Sequence, residues 1–452
     1  MADSYHPSDN AKIKSLIALF RSFFSASLFL LLARVIGAGT GVGLQVVIAR
    51  YYGAEILGNF YLAFGLAAVL SIILSMGFPW ILAPILSRSE NQGDSNQIHA
   101  FLWVAIKHLA AATALIAIPM MITIWILPSI TGDLQLALLV AVMTAPIYAL
   151  LRLISSLANA RKYFFVANMP ELIFRPVLIL AFIVVAATVS LDVNSTVLMA
   201  LNLVIITLLT GWIGFMLWMR VGEHKWPFGR SISGGPTVID AATTRHWRKL
   251  AMPMILATLF VNLFADLDIL IVGSILPAGQ IGVFGVCIKI TFIMAYAIQI
   301  THQILLRDAS DAYNAGSQQQ LLGVVSKANR YTIAVTLAGL IMTIAFGSKI
   351  LEIFGGDFTA GYGCLIVLMS SQLVRAMAGP TIQMLMISGN QHASIKVYFV
   401  STILLLVSNL IFVPSYGYIG AGAAVLLTTI YLVAALDRVV RKKLGFSVSI
   451  IS

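Results

Sequence analysis

Polar and apolar positions do not alternate along this chain at the two-residue spacing of half-buried strands. Apolar residues come instead in long, nearly unbroken runs, at about 24–48, 57–82, 101–127, 134–157, 168–187 and 197–219, and, after a polar stretch, 250–275, 281–305, 331–353, 362–387, 397–413 and 419–436. A helix of about 20 residues rises about 30 Å, the thickness of a bilayer's hydrocarbon core. Strands of a transmembrane barrel would be about ten residues of alternating polarity, and an open sheet could not satisfy its backbone in lipid. The pattern therefore predicts an all-α integral membrane protein of twelve transmembrane helices.

The runs divide six and six around residues 220–249, where Ser231, Ser233, Gly234, Gly235 and Pro236 have the composition of a flexible linker. The predicted parts are a tail over 1–23, a first lobe over 24–219, this linker, a second lobe over 250–436 and a tail over 437–452. An internal repeat supports the division. Ala54-Glu55-Ile56-Leu57-Gly58-Asn59-Phe60 resembles Ala278-Gly279-Gln280-Ile281-Gly282-Val283-Phe284, each between the first and second runs of its half. Ser156-Leu157-Ala158-Asn159-Ala160-Arg161 likewise resembles Ile387-Ser388-Gly389-Asn390-Gln391-His392. Six is even, so the halves share an orientation, and parallel repeats of that kind leave a central cavity between two pseudo-symmetric bundles.

Composition agrees: 60% of residues are hydrophobic, 10% are charged and mean hydropathy is +0.96, against about 25% charged in a soluble domain. The formal charge of +11 does not point to nucleic acid, because the basic residues are dispersed among loops rather than clustered on a soluble face. Their placement sets orientation. Twenty of the 28 Lys and Arg lie in the tails and the even-numbered loops, whereas the odd-numbered loops carry Glu55, Asp133, Asp192, Glu352 and Asp357. The bias predicts both termini on the cytoplasmic side. The segment before the first run lacks a small-residue cleavage site and reads as a retained tail. Cys287 and Cys364 stand inside apolar runs without neighbouring ligands, so neither a disulfide framework nor a metal centre is expected. No Ser/His/Asp arrangement suggests catalysis.

The stretch Ala33-Arg34-Val35-Ile36-Gly37, followed by Ile48-Ala49-Arg50-Tyr51-Tyr52-Gly53-Ala54-Glu55 and Leu57-Gly58-Asn59-Phe60-Tyr61, resembles the opening of the polysaccharide biosynthesis or O-antigen flippase family. That family belongs to the multidrug/oligosaccharidyl-lipid/polysaccharide exporter superfamily. The second half is similar too, at Asp268-Ile269-Leu270-Ile271-Val272-Gly273, Ile281-Gly282-Val283-Phe284, Lys289 and Phe354-Gly355-Gly356-Asp357-Phe358. The resemblance implies two lobes around a V-shaped cavity, alternating access, and passage of a polyprenyl-diphosphate-linked oligosaccharide to the outer leaflet of a bacterial inner membrane. It also implies membrane lipid, polysaccharide polymerase and chain-length machinery as partners. Two alternatives stay open: a cation-coupled multidrug exporter of the same superfamily, and a membrane-embedded polysaccharide-assembly enzyme, for which the short outward loops offer no room.

Ionisable groups inside spans cost about 2.5–3.5 kcal/mol each and usually face an interior or a water-filled cavity. Arg34, Arg152, Arg175, Lys289 and Arg375 are the candidate substrate-binding cations, since a diphosphate needs positive partners and Arg offers a bidentate fork. For Arg175 the competing reading is a pair with Glu171, one helical turn earlier. Asp266 and Asp268 point about 200° apart on a helix. Either could carry a proton or sodium ion, or pair with a cation. No other cofactor is expected. Trp80, Trp125, Trp212 and Trp218 fall near span ends and read as an interfacial belt, with Trp212 or Tyr148 as candidate platforms for a sugar.

Overall fold

The computed structural model describes residues 7–92, 95–127, 132–189, 191–221, 243–252, 264–390 and 392–449. Among them the regular structure is helical throughout, and nine helices are long and apolar enough to cross a membrane. Two of the nine are bent. Helix α1 (Pro7–Leu74) breaks at Gly53, with φ 86° and ψ 174°, and α15 (Ala393–Leu444) breaks at Gly417, with φ 58° and ψ −141°. Only glycine reaches such angles cheaply. Each bent helix thus holds two of the runs read from the sequence.

The other runs map in order. After a turn through Met76 and Gly77, both at positive φ, comes α2 (Phe78–Gln92). The second run, predicted to continue to residue 82, therefore stops at Leu74, and its last residues belong to α2. Then follow α3 (Ser95–Ala112), a π turn (Thr113–Ala117), α4 (Ile118–Ile126) and α5 (Gly132–Ala160). The fifth run is α6 (Phe164–Met169), a π turn (Pro170–Phe174) and α7 (Arg175–Thr188), and the sixth is α8 (Ser195–Val221). Most of the expected linker lies outside the described residues, and α9 covers 243–252. In the second half stand α10 (Phe264–Gly273), α11 (Ala278–Asn314), α12 (Gln318–Glu352), a 3₁₀ turn (Gly356–Gly361), α13 (Tyr362–Met377) and α14 (Thr381–Ile387). Both π turns adjoin prolines, Pro119 and Pro170, whose missing N–H removes an α-helical bond that a wider turn tolerates.

Burial runs opposite to that of a soluble protein in one respect. Leu115, Ile126, Leu208, Ile341 and Ile411 are all more than half exposed, on helices whose other faces pack inward. Apolar surface of this extent belongs against lipid tails. The chain is a multi-pass membrane protein.

Polar contacts cluster at helix ends. Asp133, an acidic residue of an odd-numbered loop, stands in the first turn of α5 and accepts the backbone N–H groups of Ser195 and Thr196 at 2.9 and 3.0 Å, capping the neighbouring α8. A carboxylate there satisfies two orphan donors and meets the positive end of the helix dipole. At the opposite end of the second half, residues 445–449 fold back. Asn329 donates to the Val448 carbonyl at 2.8 Å, Ser447 to Asp437 at 2.7 Å and Ser449 to the Met377 carbonyl at 3.1 Å. Of the tail expected over 437–452, residues 437–444 continue helix α15 and 445–449 form a docked strap; the last three lie outside the described residues. The segment 1–23, expected as a tail, is helical from Pro7 onward.

The two repeat motifs meet each other. A Cβ on Gly58 would lie 1.9 Å from the Ala278 carbonyl oxygen, and one on Gly282 would lie 2.1 Å from that of Ala54. In the alignment of the repeat, Gly58 matches Gly282 and Ala54 matches Ala278. The contact is therefore reciprocal, as a two-fold arrangement requires. Nearby, Arg50 donates from Nε to the Ile353 carbonyl at 2.7 Å. The backbones of the two halves come into direct contact at the end of the molecule where the odd-numbered loops lie.

Candidate functional site

At the other end, where the even-numbered loops lie, the first half holds a cavity of about 480 Å³ between the end of α1, α2, α5 and α6 with its π turn. Its wall includes Trp80, Arg152, Ser155, Asn159, Asn168 and Glu171. Helix α5 carries Arg152, Ser155 and Asn159 on one face because they are three and four residues apart. Asn168 donates to Asn159 Oδ1 at 2.9 Å and joins α6 to α5. Ser156 donates to the Pro79 carbonyl and holds the start of α2 against α5. A volume of this order suits a small polar headgroup or a sugar ring.

Behind the wall lies a charged cluster. The Tyr148 hydroxyl donates to Glu171 Oε1. The Arg152 guanidinium lies 4.8 Å from the centre of the Tyr148 ring, and that of Arg175 lies 4.8 Å from Phe64 and 5.9 Å from Tyr148. Glu171 therefore interacts electrostatically with both arginines. Arginine over an aromatic face gains from the ring quadrupole, more so when desolvated. The π turn qualifies the expected pair between Glu171 and Arg175. With Arg175 N–H bonded to the Pro170 carbonyl, the turn is one residue wider than an α turn, and Glu171 interacts with Arg152 as well as with Arg175. Arg175 Nη1 is buried without a hydrogen-bond partner.

The predicted cations do not gather into one cluster. Lys289 is half-buried in mid-α11, its ammonium 5.9 Å from the Phe292 ring. Arg375 stands exposed in the last turn of α13, near the dipole's negative end, and interacts with His302 and Tyr398. The side chains of Arg34 and Asp266 lie outside the described residues. Asp268 is 1% exposed, accepts a bond from Asn409 Nδ2 at 2.6 Å and leaves Oδ2 buried without a hydrogen-bond partner. Among the described residues there is no cluster of three or more His, Cys, Asp or Glu that could hold a metal.

The aromatic assignments shift. Trp212 packs edge-on against Phe174 at 5.6 Å, and Tyr148 is 2% exposed beneath the arginines, so neither presents a free face to a sugar. Trp80, read from sequence as part of the belt, is the exposed indole on the cavity wall. Its signal was the adjacent Gly77 and Pro79, which turn the chain inward instead of letting the second run continue.

No protein-family model matches the chain. Its structure superposes on the inward-facing conformation of a multidrug resistance MATE family transporter of the MOP superfamily, with TM-score 0.74 and 13% identity, over 90% of this chain and 94% of the other. It also superposes on lipid II flippase MurJ in an inward closed conformation, with TM-score 0.70 and 14% identity, over 91% and 87% of the two chains. The fold is that of the MOP-superfamily transporters. A further MOP superfamily transporter, from Pyrococcus furiosus, gives TM-score 0.61 at 13% identity over 92% of this chain and 95% of that one. In sequence, the chain is 24% identical over 170 residues to the probable low-salt glycan biosynthesis flippase Agl15 of Haloferax volcanii. That match spans 36% of this chain and 35% of the relative. The expected transporter fold is thus borne out, and the similar proteins are transporters and flippases.

Proposed function

We propose that this MOP-fold protein is a flippase for a polyprenyl-diphosphate-linked oligosaccharide, moved from the cytoplasmic to the outer leaflet of a bacterial inner membrane with both termini cytoplasmic. The observation that carries the reading is the cavity whose wall brings Arg152, beside Glu171, together with the hydroxyls of Ser155 and Ser156, the amides of Asn159 and Asn168 and the Trp80 indole. A diphosphate asks for the guanidinium fork, and a sugar asks for hydroxyl and amide partners beside an aromatic face. The likeness to a glycan flippase and to a lipid II flippase supports it. Residues 24–219 and 250–436 act as the two rocking lobes, the prenyl tail stays in lipid, and no bond is made or broken by the protein. Lys289, Arg375 and Arg34 serve as further cationic stations for the glycan or the phosphates. A polysaccharide polymerase and chain-length machinery receive the product.

Multidrug export is the second reading, favoured by the superposition on a multidrug resistance transporter. The basic balance of charges within the spans argues against cationic drugs. Mass spectrometry of lipid co-purified with the protein separates the two readings. The expected species is a polyprenyl diphosphate bearing sugars, and lipid extracts without it, together with cationic dye efflux, would favour drug export.

Asp268 is the proposed ion-coupling group, since its unpartnered Oδ2 in the second half's interior suits a proton or sodium ion. Asp268→Asn, which keeps the Asn409 contact possible, is expected to leave substrate binding within about twofold and to remove the dependence of transport on an ion gradient. Unchanged gradient dependence rules the role out.

A further inference from the structure

We infer that Glu171 is a built-in stand-in for the substrate's anionic group, a carboxylate that offsets the charge of Arg152 and Arg175 until a diphosphate enters. The inference rests on the reading of this cavity as the headgroup site. Three observations lead to it. Glu171 is the carboxylate on the cavity wall, beside Arg152. It interacts electrostatically with both guanidiniums, which lie 4.8 and 5.9 Å from the centre of the Tyr148 ring. Its second anchor is the Tyr148 hydroxyl, which does not depend on the arginines.

Charge decides what such an arrangement does. Two arginines and one glutamate leave one net positive charge on the cluster, whereas the diphosphate of a lipid-linked sugar carries about two negative charges. Like charges held together in a low-dielectric site repel strongly. Phosphate oxygens entering the fork of Arg152 therefore push the carboxylate away, and Tyr148 retains it nearby. When the cavity opens to the other side, Glu171 returns to the arginines and helps to expel the headgroup. An arginine pair without this competitor would bind a diphosphate tightly and release it slowly. The π turn at Pro170–Phe174 adds one residue to the helical turn that separates Glu171 from Arg175.

The test measures binding of a synthetic polyprenyl diphosphate to the full-length protein in nanodiscs, alongside its translocation in proteoliposomes. Glu171→Gln keeps the shape and an acceptor for Tyr148 while removing the charge. It is expected to bind about tenfold more tightly and to turn over at least fivefold more slowly, a split that a purely structural role would not give. Tyr148→Phe removes that anchor and frees Glu171 to close on the arginines, so binding is expected to weaken about threefold. Glu171→Gln binding at wild-type strength or more weakly, with Tyr148→Phe unchanged, overturns the inference while leaving the headgroup site standing. If the wild-type protein itself binds no polyprenyl diphosphate, the headgroup reading fails and the inference falls with it.

Discussion

Gly58→Ala is expected to cripple transport while Gly279→Ala, three residues from Gly282 in the matching repeat, is expected to be silent. The Cβ added at Gly58 would sit 1.9 Å from the Ala278 carbonyl oxygen and 2.9 Å from the Gly282 nitrogen, both backbone atoms that cannot rotate away. At Gly279 nothing lies within 4 Å. Overpacking of a tight contact costs about 1–3 kcal/mol, and about 2 kcal/mol shifts a two-state population roughly 30-fold. The shift is away from the state in which the odd-loop ends touch. A cysteine at Ile281, which is 1% exposed, should then react with an impermeant thiol reagent at least tenfold faster in the Gly58→Ala background. The two native thiols, Cys287 and Cys364, are buried and contribute little background. Gly282→Ala, the reciprocal change, should match Gly58→Ala in both readouts. Equal labelling of all variants would show that this contact does not hold the halves together.

Arg152→Ala is expected to lower glycan translocation at least tenfold at normal membrane abundance, whereas Arg175→Ala is expected to lower abundance as well. Arg152 stands on the cavity wall, where loss of a bidentate phosphate contact removes a charge-assisted bond of about 1.5–3 kcal/mol. Arg175 is half-buried and packed on Phe64 behind the wall, and truncating it loses that packing and leaves the Glu171 charge less compensated. Arg152→Lys keeps the charge and loses the fork, so it should fall between Ala and wild type. Quantified translocation per folded protein, with abundance by immunoblot, checks all three. Full translocation by Arg152→Ala would remove the cavity from the pathway.

Depth was legible in the sequence because lipid imposes it: an unbroken apolar run announces a span without any help from tertiary structure. The repeat around Gly58 and Gly282 was legible as well, and its meaning as a contact follows from two residues too small to keep backbones apart. Rotation about each helix axis was not legible. Helices that are apolar all round offer no polar stripe to show which face turns inward, so Arg375, deep in its span, read as the stronger candidate and Arg152, near a span end, as the weaker, although Arg152 lines a cavity and Arg375 stands exposed near His302. Local irregularity hid the rest. The bends at Gly53 and Gly417 each join two runs in one helix, the turn at Met76 and Gly77 diverts Trp80 from the belt to the cavity, and the π turn changes the spacing of Glu171 and Arg175 from that of an α turn.

Flipping of a fluorescent polyprenyl-diphosphate oligosaccharide in proteoliposomes, followed by quenching from outside, tests the central claim most directly. Wild-type protein should equilibrate the lipid between leaflets many times faster than protein-free vesicles, with Arg152→Ala near the protein-free rate and a cationic dye failing to compete. Protein-free rates in the wild-type vesicles, together with active extrusion of the cationic dye, would contradict the account.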